Sequence, residues 1–357
     1  MKKILLTINN NSLAGIERFV LLVCENIDKS RFDITVALPC NGEITEIFEI
    51  MHQKYFVFNR ANTIKLTLSG VLSLFRLIKK EKFDVIHAQA GILPCILGKI
   101  CGVKKIIEHK HGLDYTYEEI IKMGVFKKFY EKIKKYFVDK TITVCKYDKD
   151  ILVKYFGYKS NQITVLYNCV GIKNINPSSR DRINVIANIG RLTRQKAQEV
   201  FISMVSIVSP RFPHIKFKIY GKGELYEYYK GLIDKNNLGD VLEISGFEKD
   251  IDRLFNSIDL LVLSSRYEGI PFVLLEAMSY RIPVVSTDVG GIPEVVQHGY
   301  NGLLGKSESP ESLAECVISL IENKYSASEI AEHGYRTIFE KFSVQRMITE
   351  LNEIYEA

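Results

Sequence analysis

Two glutamates eight positions apart, Glu268 and Glu276, are the most specific chemical feature of this chain. They lie in SSRYEGIPFVLLEAMSYRIPVVSTDVGGIPE, residues 264–294. Leu260 to Leu263 ahead of them is an apolar run of strand length. Gly269 permits a sharp turn. Pro271 suits the first helical position, where its missing N–H costs nothing, and Phe272 to Met278 are good helix formers. The segment therefore predicts a strand, a glycine turn and a helix N-terminus aimed out of a parallel sheet, a natural anion site. Eight helical residues would separate the carboxylates by roughly 12 Å, whereas hydrolase pairs flank one bond at roughly 5–10 Å. Glutamates on either side of an anion site suit the two ends of one long ligand. A nucleotide sugar has that form: hydroxyls on the sugar, hydroxyls on the ribose and a diphosphate between.

A second cluster supplies positive charge. The run Ile186–Ile189 leads into Gly190-Arg191-Leu192-Thr193-Arg194-Gln195-Lys196. Cations in one loop after a strand suit a diphosphate that gains charge as its sugar leaves, and stabilising that charge would be the largest catalytic contribution. Three further loops follow strand-like runs. Asn9 to Gly15 opens a helix, and Gly15 would let backbone approach a phosphate or an acceptor. Ile106–Glu108 runs into His109-Lys110-His111-Gly112, placing a histidine at a strand's C-terminal end. Tyr220-Gly221-Lys222-Gly223 could open toward a nucleotide, with Phe247 placed to approach a base.

With these residues in place, EGIPFVLLE resembles the E-x7-E signature of the family 4 retaining glycosyltransferases, which have the GT-B fold. The resemblance runs over essentially the whole chain. It implies that Glu268 binds donor-sugar hydroxyls and Glu276 the ribose, while the backbone of Gly269, Ile270, Pro271 and Phe272 lines the sugar and phosphate pocket. The family's G-R-L-x-x-x-K pattern fits Arg191 and Lys196 as the diphosphate grip, and its H-G pair fits His111-Gly112, with His111 contacting the donor sugar or hydrogen-bonding the reacting region. Family members often carry two glycines in the first loop; here Ala14 precedes Gly15. Asn168 matches a common family asparagine, although Cys169 and Gly171 depart from its usual neighbours.

The elements that must hold these loops alternate almost throughout. Strand-like runs at Ile4–Ile8, Ile34–Leu38, Tyr55–Phe58, Val85–Ala88, Ile106–Glu108, Thr141–Val144 and Thr164–Tyr167 are interleaved with helical patterns. This predicts an α/β, doubly wound parallel sheet. A polar stretch from Gly171 to Arg182 reads as a linker. Strands at Asn184–Ile189, Lys216–Tyr220, Leu242–Ser245, Leu260–Leu263 and Val284–Ser286 then follow. Helices are expected at about 197–209, 224–235, 250–257, 271–280 and 292–297, with three more from Glu311 onward. The expected organisation is GT-B: two Rossmann-like doubly wound domains facing across a cleft, 1–172 on the acceptor side and 173–341 binding the nucleotide sugar. By resemblance, the last helix, about 342–357, crosses back onto the first domain.

Composition narrows the functional classes. A chain of 357 residues with 46% hydrophobic and 25% charged residues suits two globular α/β domains. Its seven cysteines are unpatterned and read as reduced cytosolic thiols, so no zinc site is expected. The apolar run Ile4–Ile8 is too short for a secretory signal, and no segment approaches a membrane span. No G-x-G-x-x-G follows a strand, which disfavours a dehydrogenase.

The net charge of +6 hides an asymmetry. Residues 1–175 hold 28 basic and 17 acidic side chains, net +11; residues 176–357 hold 20 and 25, net −5. The basic excess is densest between Lys122 and Lys140, where Phe126, Phe129 and Tyr130 are interleaved with Lys127, Lys128, Lys132, Lys134 and Lys135. Such a helix suits the surface of an anionic bilayer and equally a solvated helix with its apolar side in the core. Nucleic acid is not expected, because no reader motif accompanies the charge.

The sequence thus predicts a cytoplasmic, metal-independent retaining hexosyltransferase with no cofactor, peripheral to the inner face of the membrane. It would move a sugar from a nucleotide diphosphate, UDP by family habit, to an acceptor hydroxyl in cell-surface polysaccharide or lipid-linked glycan assembly. The alternatives are another GT-B activity, such as a nucleotide-sugar 2-epimerase, and a non-catalytic nucleotide- or carbohydrate-binding module.

Overall fold

The computed structural model describes every residue except 12–14, 60–63, 66, 90, 114, 116 and 174–181. Most of the expected linker therefore lies outside the described residues. The chain separates into two compact units. Met1–Leu113, Tyr117–Asn168 and Val344–Ala357 belong to one, and Cys169–Ser343 to the other.

The first unit is built on β1 (Lys2–Thr7), β2 (Phe32–Leu38), β3 (Tyr55–Val57), β4 (Val85–Ala88), β5 (Lys105–Lys110), β6 (Lys140–Thr143) and β7 (Ile163–Val165), in the order β3-β2-β1-β4-β5-β6-β7. All the pairings are parallel. A parallel strand covered on both faces must be apolar along its length rather than alternating. Val85–Ala88 is buried at all four positions, and β1 is buried from Ile4 to Thr7. The helix Val344–Glu356 completes this unit. It buries Met347, Ile348, Leu351, Ile354 and Tyr355, while Lys2 Nζ donates to the Tyr355 carbonyl at 3.0 Å.

The second unit carries β8 (Val185–Ile189), β9 (Lys216–Tyr220), β10 (Leu242–Gly246), β11 (Leu260–Leu263), β12 (Val284–Thr287) and β13 (Leu303–Gly305), in the order β10-β9-β8-β11-β12-β13. These pairings are also parallel. In both sheets the strand order reverses between the first and fourth strands, so each has a switch point: β1/β4 in one and β8/β11 in the other.

The sequence expectations need correcting at three places. β13 was not foreseen; three residues, the last of them Gly305, carry no usable periodicity. The helix expected at 292–297 is a single 3₁₀ turn, Ile292–Glu294, because Gly290 and Gly291 precede it and Gly299 turns the chain at φ +79°. Pro271, expected at the first helical position, is extended (φ −74°, ψ 131°) and caps a helix that begins at Phe272 and ends at Ser279.

Candidate active site

In the second unit the phosphate-type loop and the glutamate turn leave adjacent strands. β8 ends at Ile189 and β11 at Leu263, and the two are paired. Sheet topology therefore brings Gly190–Lys196 beside Ser264–Glu268. Lys196 Nζ lies 2.5 Å from Glu268 Oε1, and both side chains are largely buried. Ser265 Oγ donates to the same carboxylate oxygen at 2.7 Å. The other contacts tie each loop to a backbone carbonyl of its neighbour. Arg266 N–H donates to the Gln195 carbonyl (2.9 Å), Gln195 Nε2 to the Tyr267 carbonyl (3.1 Å) and Ser264 Oγ to the Lys196 carbonyl (2.9 Å). The Arg266 guanidinium reaches the Arg194 carbonyl at 2.6 Å and pairs with Glu199 and Glu308.

Glycine is required where the loops touch. A Cβ on Gly221 would sit 1.9 Å from the Gly190 carbonyl oxygen, and one on Gly223 2.3 Å from that of Leu192. Gly290, at φ +55°, lies under Glu268, where a Cβ would meet its carbonyl oxygen at 1.9 Å. Gly291 N–H donates to that same oxygen at 3.2 Å.

The other expected residues of this unit are distributed as follows. Arg191 is exposed, with Nη2 3.3 Å from Gln195 Oε1. Gly269, Ile270 and Pro271 are buried, and Phe272 is half-buried. Glu276 is half-buried on the fifth residue of the helix, little more than one turn in. Phe247 is 49% exposed in the segment after β10.

In the first unit, Gly15 begins the helix Gly15–Asn26; residues 12–14 just before it are outside the described residues. His111 follows β5 directly and is one of three stacked imidazoles. Its ring lies 4.0 Å from that of His109 at 22°, and His109 lies 5.3 Å from His87 at 6°. Phe19 meets all three rings edge-on. His87 Nδ1 is 2.8 Å from the Tyr355 hydroxyl, and His111 Nε2 is 2.8 Å from Gln89 Oε1. Sequence reasoning left out His109, His87 and Gln89. The signal was present: positions two apart share a face of a strand, and the pairing of His87 with Ile107 puts His87 on the face of His109 and His111.

The lysine next to His111 is held from the other side. Burial works against the charge on Lys110, but Glu108 (3.1 Å) and Glu131 (3.2 Å) outweigh it and hold the ammonium above the usual lysine value. Burial likewise opposes the Glu131 charge, yet Lys110 and Lys134 together keep this carboxyl below its ordinary value.

The matches to known proteins agree with this arrangement. Residues 13–173 match the model described as Glycosyltransferase Family 4, and residues 173–337 that described as Glycosyl transferases group 1. An uncharacterized glycosyltransferase of Methanocaldococcus jannaschii is 30% identical over 285 residues, 78% of this chain and 77% of the relative. This chain belongs to the family 4 glycosyltransferases. An Escherichia coli relative, UDP-Gal:alpha-D-GlcNAc-diphosphoundecaprenol alpha-1,3-galactosyltransferase, is 24% identical over 367 residues, 96% of this chain and 94% of its own. Anabaena HepE, in a crystal structure with UDP and glucose, superposes with a TM-score of 0.84 over 100% of both chains at 21% identity. The glycosyltransferase has the GT-B fold, with two parallel-sheet α/β domains.

The histidine stack gives this glycosyltransferase an acid-sensitive core. Burial pushes His87 down to about 3, with His111 adding to it; burial and the two neighbouring rings hold His109 well below its ordinary value. Unfolded histidine takes up a proton near pH 6.5; these rings cannot do so while folded. Their contribution to stability is therefore complete above about pH 6.5 and is lost as pH falls toward the depressed folded values, by about 2 kcal/mol per ring at pH 5. Urea unfolding between pH 7 and pH 5 should show that loss for His87 and His109 together; a flat stability over this window would contradict a neutral, buried stack.

Proposed function

We propose that this glycosyltransferase is a retaining, metal-independent enzyme that takes a hexose from a UDP-sugar and adds it to a lipid-linked or cell-surface glycan acceptor. The observation that carries the reading is the Lys196–Glu268 pair. A cation suited to a diphosphate and a carboxylate suited to sugar hydroxyls lie 2.5 Å apart, so one ligand with its sugar next to its diphosphate can engage both. Glu276, in the helix that Pro271 caps, would hold the ribose, with the backbone of Gly269 to Phe272 between the two glutamates. Gly221 and Phe247 would stand at the nucleotide end, and Gly15 and His111 are the further proposed contacts.

In this mechanism the acceptor hydroxyl attacks the face from which UDP departs. The new C–O bond forms as the sugar–phosphate bond breaks, the electron pair leaves on the β-phosphate, and the hydroxyl proton passes to the departing phosphate. Arg191 and Lys196 compensate the charge that accumulates there. Such groups act on charge present only in the transition state, and removing one donor of this kind typically costs about 10²–10³ in kcat. The UDP preference is supported by the printed substrate of the Escherichia coli relative and by the UDP in the Anabaena complex.

The membrane reading gains support from an inversion in the helix Val125–Lys134. Glu131 is its one fully buried residue, tied to Lys110 and Lys134. Phe126 is 91% exposed and Phe129 60% exposed, with Val125, Tyr130 and Tyr136 also outward. A helix packed for a water-facing role does the reverse. Aromatics outward beside lysines suit insertion at an anionic lipid surface, where each lysine contributes roughly 1 kcal/mol. Lys135, grouped with these lysines from sequence, donates to the Gly157 carbonyl at 2.7 Å, and Lys128 to the Ile121 carbonyl at 3.1 Å. Lys122, Lys127 and Lys132 are exposed and Lys128 is half-buried, and these four are the charges to test.

Two outcomes are expected. Transfer from a UDP-sugar panel to an undecaprenyl-diphosphate-linked sugar should continue in excess chelator, and NMR of the product should show the donor's anomeric configuration. Loss of activity on chelation with rescue by magnesium or manganese, or an inverted product, would sink the mechanism. The protein should also sediment with phosphatidylglycerol vesicles but not phosphatidylcholine vesicles, less so at raised salt. Replacing Phe126 and Phe129 by serine, or the four lysines by glutamine, should release it without unfolding. Absence of wild-type protein from the anionic vesicle pellet at low salt would favour a soluble acceptor.

A further inference from the structure

Gln89 is a buried amide, 1% exposed, immediately beyond β4. Its backbone is fixed by the sheet, because Gln89 N–H donates to the Thr7 carbonyl at 3.0 Å. Its side-chain Oε1 lies 2.8 Å from His111 Nε2. The His111 ring has little freedom of its own: His109 stacks on one face at 4.0 Å, and Phe19 meets it at 5.3 Å. Ring plane and hydrogen-bond partner are therefore set by different elements, the plane by β5 and the helix Gly15–Asn26, the partner by β4.

We propose that Gln89 is a positioning residue that fixes the tautomer of His111. A neutral imidazole carries its proton on one nitrogen only, and which nitrogen is decided by the hydrogen bond that the ring makes. The Gln89 carbonyl oxygen accepts, so the proton sits on Nε2. Nδ1, which is buried without a hydrogen-bond partner among the described residues, is left as a bare lone pair. Burial keeps the ring neutral, pushing it down to about 3, and the stacked His109 and edge-on Phe19 leave no water against its faces to solvate a charge. A ring locked in this form accepts a hydrogen bond at Nδ1 and cannot donate one there. A sugar hydroxyl is a suitable partner; a carbonyl or phosphate oxygen is not.

The consequence for donor recognition rests on the reading of His111 as a donor-contacting residue. The tautomer assignment does not, and the two are tested apart. Gln89 accounts for a feature that a purely structural amide would not need, namely a hydrogen bond spent on the one ring of the stack at a strand's C-terminal end.

The test uses the full-length, ligand-free chain with ¹⁵N-labelled histidine. Long-range proton–nitrogen correlation distinguishes protonated from bare ring nitrogens. In the wild type His111 should be protonated at Nε2 only. Gln89→Leu, which removes the acceptor, should give a mixture of tautomers, and Gln89→Glu, which keeps an acceptor and loses the amide donor, should restore the Nε2–H form. A wild-type ring protonated at Nδ1, or a Gln89→Leu spectrum identical to the wild type, would overturn the proposal. Should Gln89→Leu fail to fold, Gln89→Glu decides alone: an acceptor-only side chain keeps the Nε2–H form if Gln89 accepts, and shifts it if the amide had been donating. With UDP-sugars as probes, Gln89→Leu should lower kcat roughly tenfold, as expected for one lost oriented hydrogen bond, with Gln89→Glu recovering part of it. Unchanged turnover in His111→Ala would remove His111 from donor recognition while leaving the tautomer result to stand on its own spectrum.

Discussion

The Lys196–Glu268 ion pair is the constraint around which the second unit is arranged. Two charges held largely away from water are stable only while each has its partner, and removing one leaves the other buried and uncompensated. Keeping them 2.5 Å apart requires the loops after β8 and β11 to run in close register. Ser264, Gln195 and Arg266 supply hydrogen bonds between those loops. Gly221, Gly223 and Gly290 remove the Cβ atoms that would force neighbouring backbone away. The pair also sets a condition on the ligand. On the proposed function, a bare diphosphate would compete with Glu268 for Lys196, whereas a diphosphate bearing a sugar would offer Glu268 hydroxyls in exchange.

The first unit solves a different problem with similar means. Lys110, Glu108, Glu131 and Lys134 form a buried ionic group that docks the Val125–Lys134 helix by its polar side, so that the aromatic side faces outward. His109 and His111 of the histidine stack flank Lys110 in sequence. β5 and the residue that follows it thus carry both the anchor of the exposed aromatic helix and the ring proposed to meet the donor. Tyr355, from the far end of the sequence, closes the stack through its bond to His87, which ties the C-terminal helix to the strands that position His111.

Much of this was legible in the residues. The continuous apolar run Leu260–Leu263 gave a strand with the observed limits, because a parallel strand buried on both faces leaves an unmixed pattern, and Val85–Ala88 did so despite His87 within it. Gly-Arg-Leu-Thr-Arg-Gln-Lys and Glu-Gly-Ile-Pro-Phe announced their loops through residue types that chemistry requires. What sequence could not supply was the contact between them: nothing in either segment says that Lys196 meets Glu268 and not the more exposed Arg194. Short elements were missed for lack of periodicity, as at β13. The basic helix was ambiguous because its pattern fits either orientation; burial of Glu131 and exposure of Phe126 distinguish the two. Gln89 and the stack escaped because their meaning lies in the register between β4 and β5.

Calorimetric titration of Glu268→Gln with UDP and with UDP-glucose measures the central claim most directly. With Lys196 released from its partner, the variant should bind UDP at least as tightly as the wild type. The sugar-bearing ligand, which loses its carboxylate contact, should be weakened relative to UDP by roughly tenfold or more, the scale of a hydrogen bond to a charged group. Equal weakening of both ligands would contradict the account, since it would mean that Glu268 only holds the loop in place and does not divide one ligand between a cation and a carboxylate.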